Sequence, residues 1–243
     1  MNIERKSPLY DGKSKTLFET SDPSLVIQYF KDDATAFNAQ KKGLIRDKGL
    51  INNAVSTAIF EYLSKHQIPS HFIQKLSDRE MLVRKLTIIP VEIVVRNKAA
   101  GSLCKRLGLA SGTDLTPPLV EYFFKNDSLG DPLIGESHIF QFGWANQDEL
   151  QTMNETALRV NQALIPVFKS IELDLIDFKL EFGKTAEGKL LLGDEFTLDG
   201  CRLWDRHSGE SMDKDRFRHD LGKVEETYQE VASRLTQYFA RSL

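Results

Sequence analysis

Residues 173–205 read LDLIDFKLEFGKTAEGKLLLGDEFTLDGCRLWD, and the rest of the chain is organised around them. From Leu175 to Gly183, apolar and charged residues alternate, which is the period of a β-strand with one core face and one polar face. The run Thr185–Gly188 is typical of a turn. We therefore predict a hairpin whose second strand spans Lys189–Phe196.

The polar face of this hairpin carries the first functional signal. If residues 185–188 form the turn, Asp194 lies opposite Lys179 and one diagonal step from Glu181, within reach of cross-strand neighbours. Two carboxylates beside a lysine are typical of a magnesium–phosphate site, because Mg²⁺ is commonly held by one or two carboxylates and phosphate oxygens. From the hairpin alone, a solvated sheet face with a surface ion pair is an equally good interpretation.

The composition indicates one large globular domain or two small domains packed closely together. The 243 residues are 41% hydrophobic and 28% charged, and the net charge of −3 argues against nucleic acid or an anionic membrane surface as a partner. No apolar run approaches the roughly 20 residues of a membrane helix. Cys104 and Cys201 lack metal or redox spacing, so they are predicted to be packed thiols in a reducing compartment. We predict a cytoplasmic protein.

Residues 9–97 are predicted to form one mostly antiparallel sheet with one helix, which together make a small β-rich lobe. Its predicted elements are a hairpin over residues 9–30 with a turn at 21–24, a helix over 48–66, and strands over 71–76, 80–86 and 88–97. Residues 30–49 are charged and lack periodicity, so we predict a long functional loop there.

Gly12 stands directly before two lysine-bearing positions, Lys13 and Lys15, in the motif LYDGKSK. A glycine allows the backbone to approach a phosphate, and Lys13 and Lys15 add positive charge, which favours a nucleotide-binding flap. The motif lacks the full Walker pattern, so a turn with two surface lysines is the alternative interpretation.

A buried strand over residues 88–97 leads into a helix start with small residues, Ala99–Ser102. Free N–H groups and the dipole of a helix start attract anions, and Arg96 at the strand end adds a bidentate clamp. A strand–helix junction with a surface arginine is the plainer alternative. Further along, apolar residues at helical spacing predict helices over 147–171, with a kink or irregular end at Pro166, and over 222–241.

Eight strings of the sequence together resemble one known motif series. They are LYDGKSK, FKDDATAFN, KGLINN, IIPVEIVVRNKAAGS, LIDFKLEFG, LGDEF and DGCRLWD followed by DKDRFR. In this order, from Leu9 to Gly222, they are similar to the phosphoribosylaminoimidazole-succinocarboxamide synthase (SAICAR synthetase) family. The resemblance implies an α/β (α+β) fold with antiparallel sheets in a two-lobed, ATP-grasp-like and kinase-like architecture. It implies an ATP-binding lobe over residues 1–87, a substrate and metal lobe over residues 88–243, and a cleft between them.

The resemblance also implies the reaction: ATP-dependent ligation of L-aspartate to the carboxylate of carboxyaminoimidazole ribonucleotide in purine biosynthesis, through an acyl phosphate. Lys179 and Asp177 are the expected catalytic residues, and Glu181 and Asp194 are expected to hold Mg²⁺. The expected ATP-binding residues are Gly12, Lys13, Lys15, Arg84, Lys85 and Leu86. The expected substrate-binding residues are Arg96, Ser102, Arg202, Lys214 and Arg218. The implied partners are these small molecules, with assembly into a homo-oligomer such as a dimer.

One position departs from the family pattern, because Leu198 stands where a proline is usual after the Ser/Thr of the DE-x-[ST]-P-D segment. The loss of the proline loosens the backbone restriction near Arg202. Asp32, Asp33 and Asn38 lie in a segment that varies within the family and receive no individual roles. Two alternative functions are a nucleotide-binding module without catalysis and a kinase-like phosphotransferase with another acceptor. The presence of both carboxylates and every basic anchor argues against them.

Overall fold

A computed structural model describes residues 3–36 and 41–241, so Asn38 lies outside the described residues. The strands are β1 (Arg5–Asp11), β2 (Lys15–Thr20), β3 (Leu25–Phe30), β4 (Asp33–Ala36), β5 (Lys41–Leu44), β6 (Phe72–Lys75), β7 (Glu80–Arg84), β8 (Thr87–Lys98), β9 (Asp114–Phe124), β10 (Leu133–Ile134), β11 (Leu173–Lys184), β12 (Leu190–Leu192) and β13 (Cys201–Asp205). The helices are α1 (Lys48–Lys65), α2 (Ser102–Leu107), α3 (Glu136–Gln141), α4 (Gln147–Ser170), α5 (Asp215–Arg218) and α6 (Val224–Arg241).

Two antiparallel sheets form the framework, which confirms the predicted mixed fold. The first has the order β1-β2-β3-β7-β6, and the second has the order β10-β9-β8-β11-β12 with β13 also paired to β11. The prediction that residues 9–97 share one sheet is wrong at its last strand. β8 pairs with β9 and β11, because its alternating buried residues pack in the core of the second sheet.

β11 is the central strand of the second sheet, as its alternating pattern predicts, but the register of its hairpin is wrong by one residue. Lys184 pairs with Leu190 rather than with residue 189, and Thr185 N donates to Lys189 O at 3.0 Å, so the turn includes residue 189. β12 ends at Leu192 rather than at residue 196. Asp194 then adopts the left-handed φ of 58°, which turns the chain out of the strand.

Helix α4 packs on β11 and β8 of the second sheet, α1 packs on β3, β6 and β7 of the first sheet, and α6 packs against α1 and α4. Buried apolar residues of all three helices belong to the main hydrophobic core. The apolar members of α4 that are fully buried recur at helical spacing: Met153, Ala157, Val160, Leu164, Val167 and Phe168. Asn146 accepts from Glu149 N at 2.9 Å and caps the start of α4. The helix continues as an α-helix through the exposed Pro166 to Ser170, where a kink or irregular end is predicted. No helix among residues 3–36 and 41–241 is long and apolar enough to cross a membrane.

The segment predicted as a long loop contains a small hairpin instead. β4 and β5 pair only with each other, and strands of four residues are too short for periodicity to reveal. The hairpin contacts the region of α5: Lys41 Nζ lies 2.6 Å from Asp220 Oδ1, and Gly43 lies against the Phe217 ring. The last lysine of the segment, Lys48, is fully buried.

Candidate active site

A polar cleft of about 390 Å³ lies between the β1–β2 turn, strands β8 and β11, and the chain from residue 194 to α5. A second, more apolar cavity of about 300 Å³ joins it. The two share the lining residues Tyr10, Lys15, Lys125, Glu181 and Asp194. Four of the shared residues are charged, two of them lysines and two of them carboxylates, so opposite charges meet at the junction of the two cavities.

Residues predicted to bind ATP line both cavities. Gly12, Lys13 and Lys15 line the polar cleft, and the expected hinge residues, Arg84, Lys85 and Leu86, line the apolar cavity with Lys15. The apolar walls of this cavity are Leu9, Leu17, Val26, Val83, Leu86 and Ile88. Gly12 N donates to Lys15 O at 2.9 Å and closes the turn between β1 and β2. An apolar slot beside a lysine-bearing turn suits a planar base attached to phosphates.

Lys179 is the centre of the charged junction. Its Nζ lies 2.5 Å from Glu181 Oε1, 2.8 Å from Glu92 Oε1 and 3.7 Å from Asp194 Oδ2. Lys125 Nζ lies 2.7 Å from the same Glu181 oxygen. Asp194 is therefore close to Lys179, as predicted, but through the turn after Leu192 and not through strand pairing.

The register of the sheet explains why these lysines are needed. Glu181 of β11 and Glu92 of β8 are direct cross-strand partners, and like charges in that position repel. Burial acts to raise the pKa of Glu181, but Lys179 and Lys125 outweigh it and hold that pKa well below its usual range. Burial raises the pKa of Glu92 despite Lys179. Of the two carboxyl groups, Glu181 is therefore the one whose ionised form is more strongly stabilised.

The two carboxylates expected to hold Mg²⁺ lie beside the same cationic group. Glu181 and Asp194 both converge on the ammonium of Lys179, which marks one point near both carboxylates where positive charge is stabilised. Residues 3–36 and 41–241 contain no group of three or more His, Cys, Asp or Glu side chains that would bind a metal unaided. Two carboxylates suit Mg²⁺ when phosphate oxygens complete its coordination.

Beyond this junction, Asp177 lies at the centre of a chain of buried ion pairs. It is the cross-strand partner of Arg96 on β8 and of Arg202 on β13. Arg96 Nη1 lies 2.5 Å and Arg202 Nη1 3.0 Å from Asp177 Oδ2. Positive and negative side chains alternate along this series of ion pairs, whose members are, in order, Arg106, Glu121, Arg96, Asp177, Arg202, Asp215 and Arg218.

The residues predicted to bind the other substrates are only partly brought together. Arg202, Lys214 and Arg218 line the polar cleft, whereas Arg96 and Ser102 are absent from the described lining of both cavities. Arg96 is 3% exposed and engaged by its carboxylate partners. Ser102 Oγ is exposed and accepts from Arg106 at 2.9 Å.

Several lining residues were not predicted: Glu92, Lys125, Glu195 and Asp199. A signal existed for Glu92, because a lone carboxylate inside the apolar run IIPVEIVV must find a cation once that strand is buried. Asp199 begins the string DGCRLWD, but nothing in that string indicates its partners Lys48 and Lys214, which lie elsewhere in the sequence.

Comparison with known proteins gives a consistent result. The sequence model described as SAICAR synthetase matches residues 8–235. The phosphoribosylaminoimidazole-succinocarboxamide synthase of Magnetococcus marinus is 54% identical over 235 residues, which cover 96% of this chain and 97% of that protein. The crystal structure of the enzyme of that name from Ehrlichia chaffeensis has a TM-score of 0.92 at 44% identity, with 95% and 98% coverage. A SAICAR synthetase solved in complex with ADP has a TM-score of 0.91 at 42% identity, with 94% and 97% coverage.

Proposed function

The chain belongs to the SAICAR synthetase family and is a ligase, and from that premise we propose that it joins L-aspartate to carboxyaminoimidazole ribonucleotide through an acyl phosphate, with ATP as the phosphoryl donor. The observation that carries this proposal is the cluster of lysines and carboxylates where an apolar cavity meets a polar cleft. The apolar cavity suits the base of ATP, and the cluster suits its phosphates. We propose residues 1–87 as the ATP-binding lobe and residues 88–243 as the substrate lobe, a division supported by the change of sheet between Arg84 and Thr87.

The chemistry proceeds in two steps. A carboxylate oxygen of the ribonucleotide attacks the γ-phosphorus of ATP, the bond to ADP breaks, and an acyl phosphate forms. The amine of L-aspartate then attacks the acyl carbon, the bond to phosphate breaks, and the amide loses a proton to solvent. Phosphoryl transfer of this kind depends on positioning and charge stabilisation. Lys15 and Lys179 supply that stabilisation at the junction of the cavities.

Glu181 and Asp194 are proposed to hold Mg²⁺ together with phosphate oxygens. The ion, when bound, would neutralise phosphate charge. We assign Asp177 to positioning rather than to proton transfer, because its carboxylate is engaged by Arg96 and Arg202. Arg202, Lys214 and Arg218 are proposed to meet the anionic groups of the ribonucleotide and L-aspartate, with Arg96 and Ser102 behind them. A cytoplasmic location and a dimeric assembly are part of the same proposal.

The test uses ribonucleotide labelled with a heavy oxygen isotope in its carboxylate, incubated with the enzyme, ATP, Mg²⁺ and L-aspartate. We expect ADP release that depends on all substrates, formation of the succinocarboxamide, and transfer of one labelled oxygen to inorganic phosphate. Product without labelled phosphate would exclude the acyl phosphate, and absence of product would exclude the ligation. Lys179→Met should lower kcat at least about 100-fold, because removing one preorganised charge donor typically costs that much.

A further inference from the structure

Asp199 is held from outside the cleft by two side chains that the proposed reaction does not use. Its Oδ2 accepts from Lys48 Nζ at 2.8 Å, and its Oδ1 accepts from Tyr228 Oη at 2.7 Å. Lys48 begins α1, and Tyr228 lies near the start of α6. Both residues are fully buried, and neither belongs to the described lining of the cleft. Two helices therefore meet at one carboxylate in the wall of the cleft.

A third donor to Asp199 faces the substrates. Lys214 Nζ lies 3.2 Å from the Oδ2 atom that also accepts from Lys48, and Lys214 lines the cleft beside Arg218. One carboxylate cannot neutralise two ammonium groups, so Asp199, Lys48 and Lys214 taken together carry one excess positive charge. Lys48 is closer to Asp199 and has no exposed surface. The excess charge is therefore directed into the cleft by Lys214, where an anion can neutralise it.

The pKa shifts of Lys214, Asp199 and Tyr228 agree with an ionised Asp199 held by neighbouring cations. Burial lowers the pKa of Lys214; Asp199 opposes that effect, and the nearby charges of Lys48 and Arg218 add to it. Burial would raise the pKa of Asp199, but Lys214 and Lys48 outweigh it and hold that pKa well below its usual range. Burial and the Asp199 charge raise the pKa of Tyr228, so its hydroxyl remains a donor.

We propose that Lys48 and Tyr228 are positioning residues of the ligase, which fix Asp199 from behind so that the Lys214 ammonium is presented to a carboxylate or phosphate of a bound substrate. This inference rests on the proposed function, since that function supplies the anionic substrates. The recognised chemistry is an oxyanion. It belongs either to the ribonucleotide or to L-aspartate, and measuring each substrate separately distinguishes the two.

The test replaces Lys48 by methionine, which keeps an unbranched side chain and removes the charge. Asp199 is then neutralised by Lys214 alone, so the cleft loses its excess charge. We expect the KM of one anionic substrate to rise about tenfold or more, the effect of losing a charged hydrogen bond, while the KM of ATP stays unchanged. The alkaline limb of kcat/KM for that substrate should move to higher pH, because Lys48 no longer lowers the pKa of Lys214.

Tyr228→Phe is the second variant, because it preserves shape and charge. It should raise the KM of the same substrate without moving the alkaline limb. Tyr62→Phe is the matched control: its hydroxyl donates to Ala163 O at 3.4 Å, away from Asp199, and all KM values should match the wild type. Wild-type KM values and pH profile in Lys48→Met would overturn the inference, as would an equal rise in every KM. If Lys48→Met does not fold, an unchanged KM in Tyr228→Phe overturns it. Wild-type enzyme without ligase activity contradicts the proposed function instead.

Discussion

Replacing Asp177 by asparagine tests the chain of alternating charges at its centre. The side chain of Asp177 is 4% exposed, and its Oδ2 lies 2.5 Å from Arg96 Nη1 and 3.0 Å from Arg202 Nη1. Asparagine has nearly the same shape, but it removes the negative charge and places an N–H donor where a carboxylate oxygen accepts. The guanidinium groups of the buried Arg96 and the half-buried Arg202 then face each other across a neutral side chain.

The expected loss of stability depends on the ion-pair partner that each arginine retains in the variant. Removing one partner of a buried ion pair costs about 3–5 kcal/mol when the remaining charge is left alone. Here Arg96 keeps Glu121 at 2.6 Å, and Arg202 keeps Asp215 at 2.8 Å. We therefore expect the free energy of unfolding to fall by about 3 kcal/mol, the lower end of that range.

The assay is urea unfolding followed by tryptophan fluorescence and circular dichroism. With a slope of about 3 kcal/mol per molar urea, the midpoint should fall by about 1 M. Asp174→Asn is the matched control on the same strand. Its side chain is 40% exposed and its pair with Arg206 is 3.3 Å long, so the loss should be about 0–1 kcal/mol. If the two variants lose the same small amount, the buried chain of charges does not stabilise the fold as described.

Two further predictions concern the ATP side of the site. In Gly183→Ala, the new Cβ would lie 2.8 Å from Thr87 O and 2.9 Å from Leu86 Cβ, so the strand must shift. The free energy of unfolding should fall by about 1–3 kcal/mol and the KM of ATP should rise. Gly188→Ala, where the new Cβ meets open space, should leave the KM of ATP unchanged. Burial lowers the pKa of His71 to about 3, so its contribution to stability is complete above about pH 6.5 and is lost as the pH falls toward 3. Between these values, urea midpoints should show the stability difference between wild type and His71→Gln changing by about 1.4 kcal/mol per pH unit, and a constant difference would contradict the burial of a neutral imidazole.

Long elements with strong periodicity were predictable, and short ones were not. The helix over residues 147–171 and strand β11 follow from apolar residues repeated over many positions. The hairpin register failed because one residue of turn length moves every pairing, and composition does not distinguish a turn of four residues from one of five. β4 and β5 were missed because neither has enough residues to show a period.

The site was predictable as a set of residues but not as a set of partners. Motif order identified Lys179, Glu181 and Arg202, which all line the cleft. The engagement of Arg96 by Asp177 depends on the register between β8 and β11, which are far apart in sequence. The same register places Glu92 opposite Glu181 and so requires the two lysines. The pattern of ion pairs in the site thus depends on which strands pair and in which register, and no single sequence motif contains that information.

Leu198 stands at the position of the DE-x-[ST]-P-D segment where a proline is usual. A proline restrains a loop by fixing φ, whereas Leu198 is fully buried in the main hydrophobic core and restrains the same loop by packing. The next residue, Asp199, is held by Lys48, Lys214 and Tyr228, and Gly200 O accepts from Lys179 N at 2.9 Å. Core packing therefore fixes Leu198, side-chain contacts fix Asp199, and a backbone hydrogen bond fixes Gly200. Arg202 lies beyond them, so tertiary contacts rather than a proline fix the segment that leads to it.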